Sequence, residues 1–371
     1  MRLPLSLLLV VPATLAACDA LVRIVLWGMA RRPPAGRSTG CQPVTAEPAV
    51  DRPAGSRRAS LLIVIPARAE GERLQKTLAS TKGADVLLLL DGDDPGVGAH
   101  GARVVVKTPA GPSKAAALAW LAREHRATLE QYESILILDA GSRLAPGFLG
   151  QFDFPEDAAA VQTFLHGSSE GVGAAAAESE RVAQGTEDRG REALGWNVRL
   201  RGTGSAFTSQ AFLELMPRLD TRIEDLEATL LLTADGGKIR MSEAVVLDEK
   251  PEAMTAAASQ RARWFLGRYE LLVRRAPAFA RVIARRPLEG TAFLVEIFGR
   301  PLSLTAPLRL AAGLLLARRS HPIFGGILML SAAADVALHT RARPAPVLRL
   351  GASWLMALLL APRALVRWMR P

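Results

Sequence analysis

Cysteine is nearly absent from this sequence. Only Cys18 and Cys41 occur in 371 residues, so neither a disulfide framework nor a cysteine zinc site is expected. Histidine is sparse as well. His100, His125, His166, His321 and His339 show no metal-ligand spacing, which argues against a histidine-centred mechanism. Aromatic residues make up 5% of the chain and are not interleaved with its cationic stretches, so no nucleic-acid partner is expected. The phosphate-loop pattern is missing too, because the lysine of GPSKAAAL, Lys114, has no glycine directly before it. No internal repeat occurs.

What is present is an apolar, basic chain. Hydrophobic residues make up 49%, enough to bury a full core and to exclude disorder throughout. The 46 Lys and Arg outweigh 36 Asp and Glu, a net charge of +10, compatible with an anionic membrane surface or phosphate-bearing substrates. Arg31, Arg32 and Arg37, then Arg274 to Arg286, Arg318, Arg319 and Arg341 onward, lie beside apolar runs. That placement favours a membrane.

Leu3 to Ala30 is almost continuously apolar and exceeds the roughly 20 residues that cross a bilayer. Residues 1–30 are therefore read as a transmembrane helix. Asp19 and Arg23 interrupt it, but four residues apart they can pair on one face. A rival reading makes Leu15-Ala16-Ala17-Cys18 a lipoprotein cleavage site, against which the apolar run continues past Cys18. Residues 31–58, rich in Pro, Gly, Ser and Arg, read as a linker.

Residues 59–275 read as a cytosolic domain. Short apolar runs at Leu61 to Ile65, Val86 to Leu90, Val104 to Val106 and Ile135 to Leu138 alternate with helical spacing at Glu70 to Ser80 and Ser113 to His125. Alternation of this kind implies a parallel α/β sheet, in which ligands sit beyond the carboxyl ends of the strands. Asp91 and Asp139 occupy such ends. Residues 276–371 carry apolar runs at Phe293 to Ala317, Ile323 to Leu338 and Val347 to Leu360, read as interfacial and transmembrane helices.

Six motifs follow in order: VIPARAEGERL from Val64, LLLLDGDDPG from Leu87, LDAGS from Leu138, RGTGSAF from Arg201, RIEDLEATL from Arg222 and QRARW from Gln260. Together they resemble the membrane-bound family 2 glycosyltransferases that include cellulose, chitin and hyaluronan synthases. The resemblance covers roughly Leu61 to Arg268, in order and spacing as well as letters.

This resemblance implies a GT-A (Rossmann-like) domain on the cytoplasmic side of the inner cell membrane, in a multi-pass protein. The implied activity is inverting transfer of a hexose from a nucleotide-diphosphate sugar, with a UDP-sugar as the expected donor, to a lipid-linked or growing polysaccharide acceptor, with or without a partner membrane protein. It assigns Arg68, Glu70 and Asp91 to the donor's base and Lys114 to the nucleotide. Asp139 stands for the first aspartate of the family's DxD, which holds the ribose or a metal-bound diphosphate. Glu224 and Asp225 match the TED motif, Ile223 replacing threonine, with Asp225 as general base. Gln260, Arg263 and Trp264 match QxxRW at the diphosphate and acceptor, and Gly202 and Gly204 lie in the acceptor-side segment.

Each assignment has a bland counterpart. DGDDPG, with Asp91 and Asp93, is also turn-forming; Lys114 also suits a solvated surface; RGTGSAF also suits a plain glycine turn; Trp264 also suits an interfacial helix. Thr186-Glu187-Asp188 is a decoy for the TED motif, since it precedes RGTGSAF in a polar stretch. The main departure is Gly141, which stands where the family's metal-binding second aspartate belongs. Mg²⁺ or Mn²⁺ on Asp139 is still the expected cofactor, and a catalytically impaired nucleotide-sugar-binding protein is the alternative.

Overall fold

A computed structural model describes residues 5–30, 61–92, 101–167, 171–250, 253–299, 302–318 and 321–340. The chain divides into two compact units. One comprises residues 33–167 and 197–249, the other residues 1–32, 168–196 and 250–371.

The first unit is an α/β fold on eight strands: β1 (Leu61–Ala67), β2 (Asp85–Asp91), β3 (Arg103–Lys107), β4 (Ser134–Ile137), β5 (Ser142–Leu144), β6 (Ala160–His166), β7 (Ser205–Thr208) and β8 (Ile239–Asp248). Their order in the sheet is β3-β2-β1-β4-β7-β6-β8-β5. β1 pairs in parallel with β2 and β4, and β2 with β3. β7 runs antiparallel to β4 and β6, while β8 is parallel to β6 and antiparallel to β5. The sheet is therefore mixed rather than all-parallel.

The first four strands fall on the four apolar runs of the sequence. Leu62 to Ile65, Leu87 to Leu90 and Ile135 to Ile137 are buried, as strands covered on both faces require. Ile63, Ile65, Leu88 and Leu90, alternate residues of these strands, join Leu136, Leu138, Phe148, Val161 and Leu165 in one core.

Six strands, β1, β2, β3, β4, β6 and β8, point one way. Their carboxyl ends share one edge of the sheet. The helices Glu72–Ser80 and Lys114–Glu124 return the chain between such strands, so each begins at that edge; Glu224–Asp235, between antiparallel β7 and β8, begins there too, with Glu224 3.4 Å from Lys114. Ser113 caps the second of them, its hydroxyl accepting from the Ala116 N–H at 3.2 Å.

The sheet cannot lie flat. From Ile137, the end of β4, to Ser142, the start of β5, the chain takes five Cα steps, at most about 18 Å at full extension. Four strand spacings separate the two in the sheet order, about 19 Å in a flat sheet even without any offset along the strands. The sheet curls to bring β5 round to β8, where the Ser142 hydroxyl donates to Asp248 Oδ1 at 3.0 Å and Arg143 pairs with Glu249 at 2.5 Å.

In the second unit the helix Leu5–Ala30 runs without a break through Cys18. Asp19 and Arg23 pair on it at 3.1 Å, both buried. This helix packs against Arg189–Ala193, Pro287–Gly299, Leu302–Arg318 and Pro322–Thr340. Among the described residues it alone is long and apolar enough to cross a membrane, over Val10–Ala30.

The multi-pass expectation has no such support among the described residues. The run from Phe293 to Ala317 falls on two helices, Pro287–Gly299 and Leu302–Arg318, and Arg309 in the second is fully buried with a bond to Ser331 at 3.3 Å. The apolar stretch of the next helix is short, Pro322–Ala334. Val347 to Leu360 lies outside the described residues.

Candidate active site

Two groups of side chains meet at the carboxyl edge of the sheet. The first gathers around Asp91, the last residue of β2, which is buried. Its Oδ1 accepts from the Gly111 N–H at 2.7 Å and lies 3.6 Å from Lys107 Nζ; its Oδ2 accepts from Arg68, which also donates to the Gly111 carbonyl. Asp91 thus ties the loop after β1 to the loop after β3. Glu70 lies two residues after Arg68 and faces Arg73 at 3.8 Å. Asp93 lies outside the described residues.

The second group gathers around Lys114, the first residue of its helix. Lys114 Nζ lies 2.5 Å from Asp139 Oδ1 and 3.4 Å from Glu224 Oε1. Asp225 adds a third carboxylate to its surroundings. Burial works to lower the pKa of this ammonium, but Asp139, Glu224 and Asp225 together outweigh it and raise the pKa above the ordinary lysine value. Lys114 therefore stays charged and holds three acidic groups at one point.

Asp225 is pushed up to about 6, first by burial and then by the neighbouring Glu224 carboxylate; the Leu226 N–H and Lys114 pull the other way without cancelling this. A carboxylate of that basicity is mostly ionised at neutral pH and is a better proton acceptor than a solvated one. The third acid of the same helix start does structural work. Glu227 is fully buried and accepts from the Asp220 and Thr221 N–H groups at 3.0 and 2.9 Å, pinning the incoming chain. Nothing in EDLE separates Glu227 from its neighbours; only its backbone partners do.

RGTGSAF forms the floor between these groups. A Cβ on Gly202 would lie 3.7 Å from Lys114 Nζ and 3.9 Å from Asp225 Oδ2, so glycine keeps that space open. The Thr203 hydroxyl accepts from the Asp139 N–H at 3.1 Å. Buried Gln162 holds the segment, taking the Arg201 N–H at 2.8 Å and donating to the Thr203 carbonyl at 3.1 Å. Thr203 and Gln162 were not legible as site residues, since neither belongs to an ionisable motif.

Gly204 has a packing role. Its φ is +67°, and a Cβ there would sit 2.2 Å from Thr163 Oγ1. Gly204→Ala is expected to cost about 2–4 kcal/mol through left-handed strain plus overpacking; a melt of the purified protein checks this as an unfolding midpoint several degrees lower.

Gln260, Arg263 and Trp264 belong to the other unit, on the helix Met254–Arg274. Gln260 and Trp264 are half-buried and Arg263 is exposed, whereas Arg261 is buried. Helical spacing does put the three on one side of that helix, away from its buried side. Glu187 and Asp188 of the decoy are buried in the same unit, in a π-helical turn over Gln184–Asp188.

Among the described residues no three His, Cys, Asp or Glu side chains are grouped to hold a metal ion. Asp139 is engaged by Lys114. Gly141 adopts φ +103°, a conformation strained for any side chain, and its N–H donates to Thr77 Oγ1 at 2.8 Å. A Cβ there would meet the Arg73 guanidinium, 3.3 Å from Nε and 3.4 Å from Cζ.

No protein-family model matches this chain, and no curated protein does.

Proposed function

We propose that this chain is a membrane-attached, inverting glycosyltransferase of family 2 with a GT-A-type domain, transferring a hexose from a UDP-sugar to a hydroxyl of a lipid-linked or growing glycan. The observation that carries this reading is the convergence around Lys114. Asp139 from one motif and Glu224 and Asp225 from another surround one ammonium at the carboxyl edge of the sheet, the place where α/β folds take their ligands.

The chemistry follows from these groups. Asp225 takes the proton of the acceptor hydroxyl as that oxygen attacks the anomeric carbon. The bond from this carbon to the donor's phosphate oxygen breaks, and its electron pair leaves with the diphosphate. Attack from the face opposite the leaving group inverts the anomeric centre. Lys114 stabilises the charge that gathers on the departing group. In this reading Arg68, Glu70 and Asp91 on the neighbouring loops take the nucleoside, and the lack of a side chain at Gly202 supports an acceptor lying between base and ammonium.

The apolar helix Val10–Ala30 supports attachment to a membrane. Nucleotide sugars are cytosolic, so the α/β unit faces the cytoplasm in this reading. In this reading the acceptor and any partner protein are met at the membrane surface. The basic charge beside the apolar segments fits this surface and not a nucleic acid.

A second reading rests on Gly141: a protein that binds nucleotide sugars without turnover. Release of UDP from a panel of UDP-sugars by the purified full-length chain in lipid nanodiscs separates the two. Steady UDP release with a membrane-lipid or glycan acceptor is expected. UDP-sugar binding without release, and unchanged in Asp225→Asn, would sink the enzyme reading and leave the binding one.

A further inference from the structure

We infer that the Arg73 guanidinium takes the place of the divalent cation in this site, so that the donor's diphosphate is bound by arginine without a metal. The inference rests on the glycosyltransferase reading and names how its donor is held. Three observations meet at Gly141.

The first concerns position. Arg73 stands one helical turn before Thr77, and Thr77 Oγ1 accepts the Gly141 N–H at 2.8 Å. The helix Glu72–Ser80 therefore lays the Arg73 side chain over the turn that follows β4, with the guanidinium 3.3–3.4 Å from where a Cβ of residue 141 would begin. A cation already occupies the direction in which an aspartate would reach.

Charge gives the second. An aspartate with a bound divalent cation contributes one net positive charge at this point. Glycine beside a guanidinium contributes the same. The exchange of residue and the arrival of Arg73 are thus equivalent for an incoming diphosphate, and a guanidinium fork matches two phosphate oxygens at once.

The third is availability. Arg68 donates to Asp91 and to Gly111, Lys107 lies 3.6 Å from Asp91 and bonds the Pro109 carbonyl at 2.6 Å, and Lys114 is held by Asp139 and Glu224. Among the described residues Arg73 pairs with Glu70, at 3.8 Å, and its side chain is 59% exposed. Arg73 is less committed than Arg68, Lys107 or Lys114, and more open to a ligand.

Calorimetry on the full-length protein in nanodiscs, with UDP and uridine as probes, tests this. UDP should bind with the same affinity, within about twofold, in EDTA and in excess Mg²⁺ or Mn²⁺. Arg73→Ala should weaken UDP about 10- to 100-fold, the worth of hydrogen bonds to a charged group, and leave uridine unchanged; Arg73→Lys should fall between. Because the side chain is exposed, the variants should melt with wild type. Binding of UDP that requires the metal, or an Arg73→Ala protein that binds UDP as wild type does or loses uridine equally, overturns the inference and leaves the glycosyltransferase reading standing. Absence of UDP binding under every condition overturns both.

Discussion

Asp225→Asn should lower the rate of sugar transfer about a thousandfold, within the range for loss of a positioned general base, with UDP affinity unchanged. The amide keeps the shape of the carboxylate and cannot take a proton. In the wild-type protein the rate should fall as pH drops through about 6, where Asp225 becomes protonated. That limb should vanish in the variant. Stability discriminates further. A folded-state pKa raised above the unfolded value of about 4 means that the folded chain holds this proton more tightly, so stability contributed below pH 4 is lost as pH rises toward 6. Asparagine has no such loss, and at pH 7 the variant should melt at or above the wild-type temperature. Rate and melting profiles against pH check both statements, and an inactive variant that is also destabilised would point to a structural role for Asp225.

Lys114→Met should act on the same group from the other side. With the ammonium gone, Asp139, Glu224 and Asp225 face one another without a counter-charge. Lys114 lowers the proton affinity of Asp225, so its removal should move the pH-rate limb upward, toward neutrality. Transfer at pH 7 should drop at least about a hundredfold, from a partly protonated base and an unstabilised leaving group. Fold stability at pH 7 should fall by about 2 kcal/mol, below the figure for a fully buried pair because both partners keep solvent contact. The deficit should shrink as pH is lowered and the carboxylates neutralise. A pH-rate profile that loses amplitude without shifting would show that the ammonium acts on the donor alone.

How far the fold was legible follows from the kind of strand. β1 to β4 are apolar runs bounded by turn residues, and the sequence marks each one. β6 carries the buried polar pair Gln162 and Thr163 in its middle, and β8 reads IRMSEAVVLD with Ser242 and Glu243 at its centre; neither has the unbroken run that identifies a strand. β5, three residues long, exists only because the curl delivers it to β8.

The site divides in a similar way. Asp139, Lys114, Glu224 and Asp225 belong to motifs whose order is visible, and the shared edge brings them together. Arg73 is one of many arginines in a basic chain. Its place over Gly141 depends on the Thr77 hydroxyl holding the β4–β5 turn against the helix, a contact between residues 64 positions apart. Gln162 and Thr203 act through backbone groups, and no side-chain motif encodes that.

The direction of β6 and β8 has a mechanical meaning. Both strands end at the edge that holds Asp139 and Lys114, paired His166 to Leu247, and directly after each end the backbone leaves for the helical unit, at residues 168 and 250. The second departure is riveted to the Asp139 turn by Ser142 with Asp248 and Arg143 with Glu249. Tension transmitted along the polypeptide from the helices therefore enters the sheet within three residues of the carboxylate that grips Lys114, not at the far end of the strands.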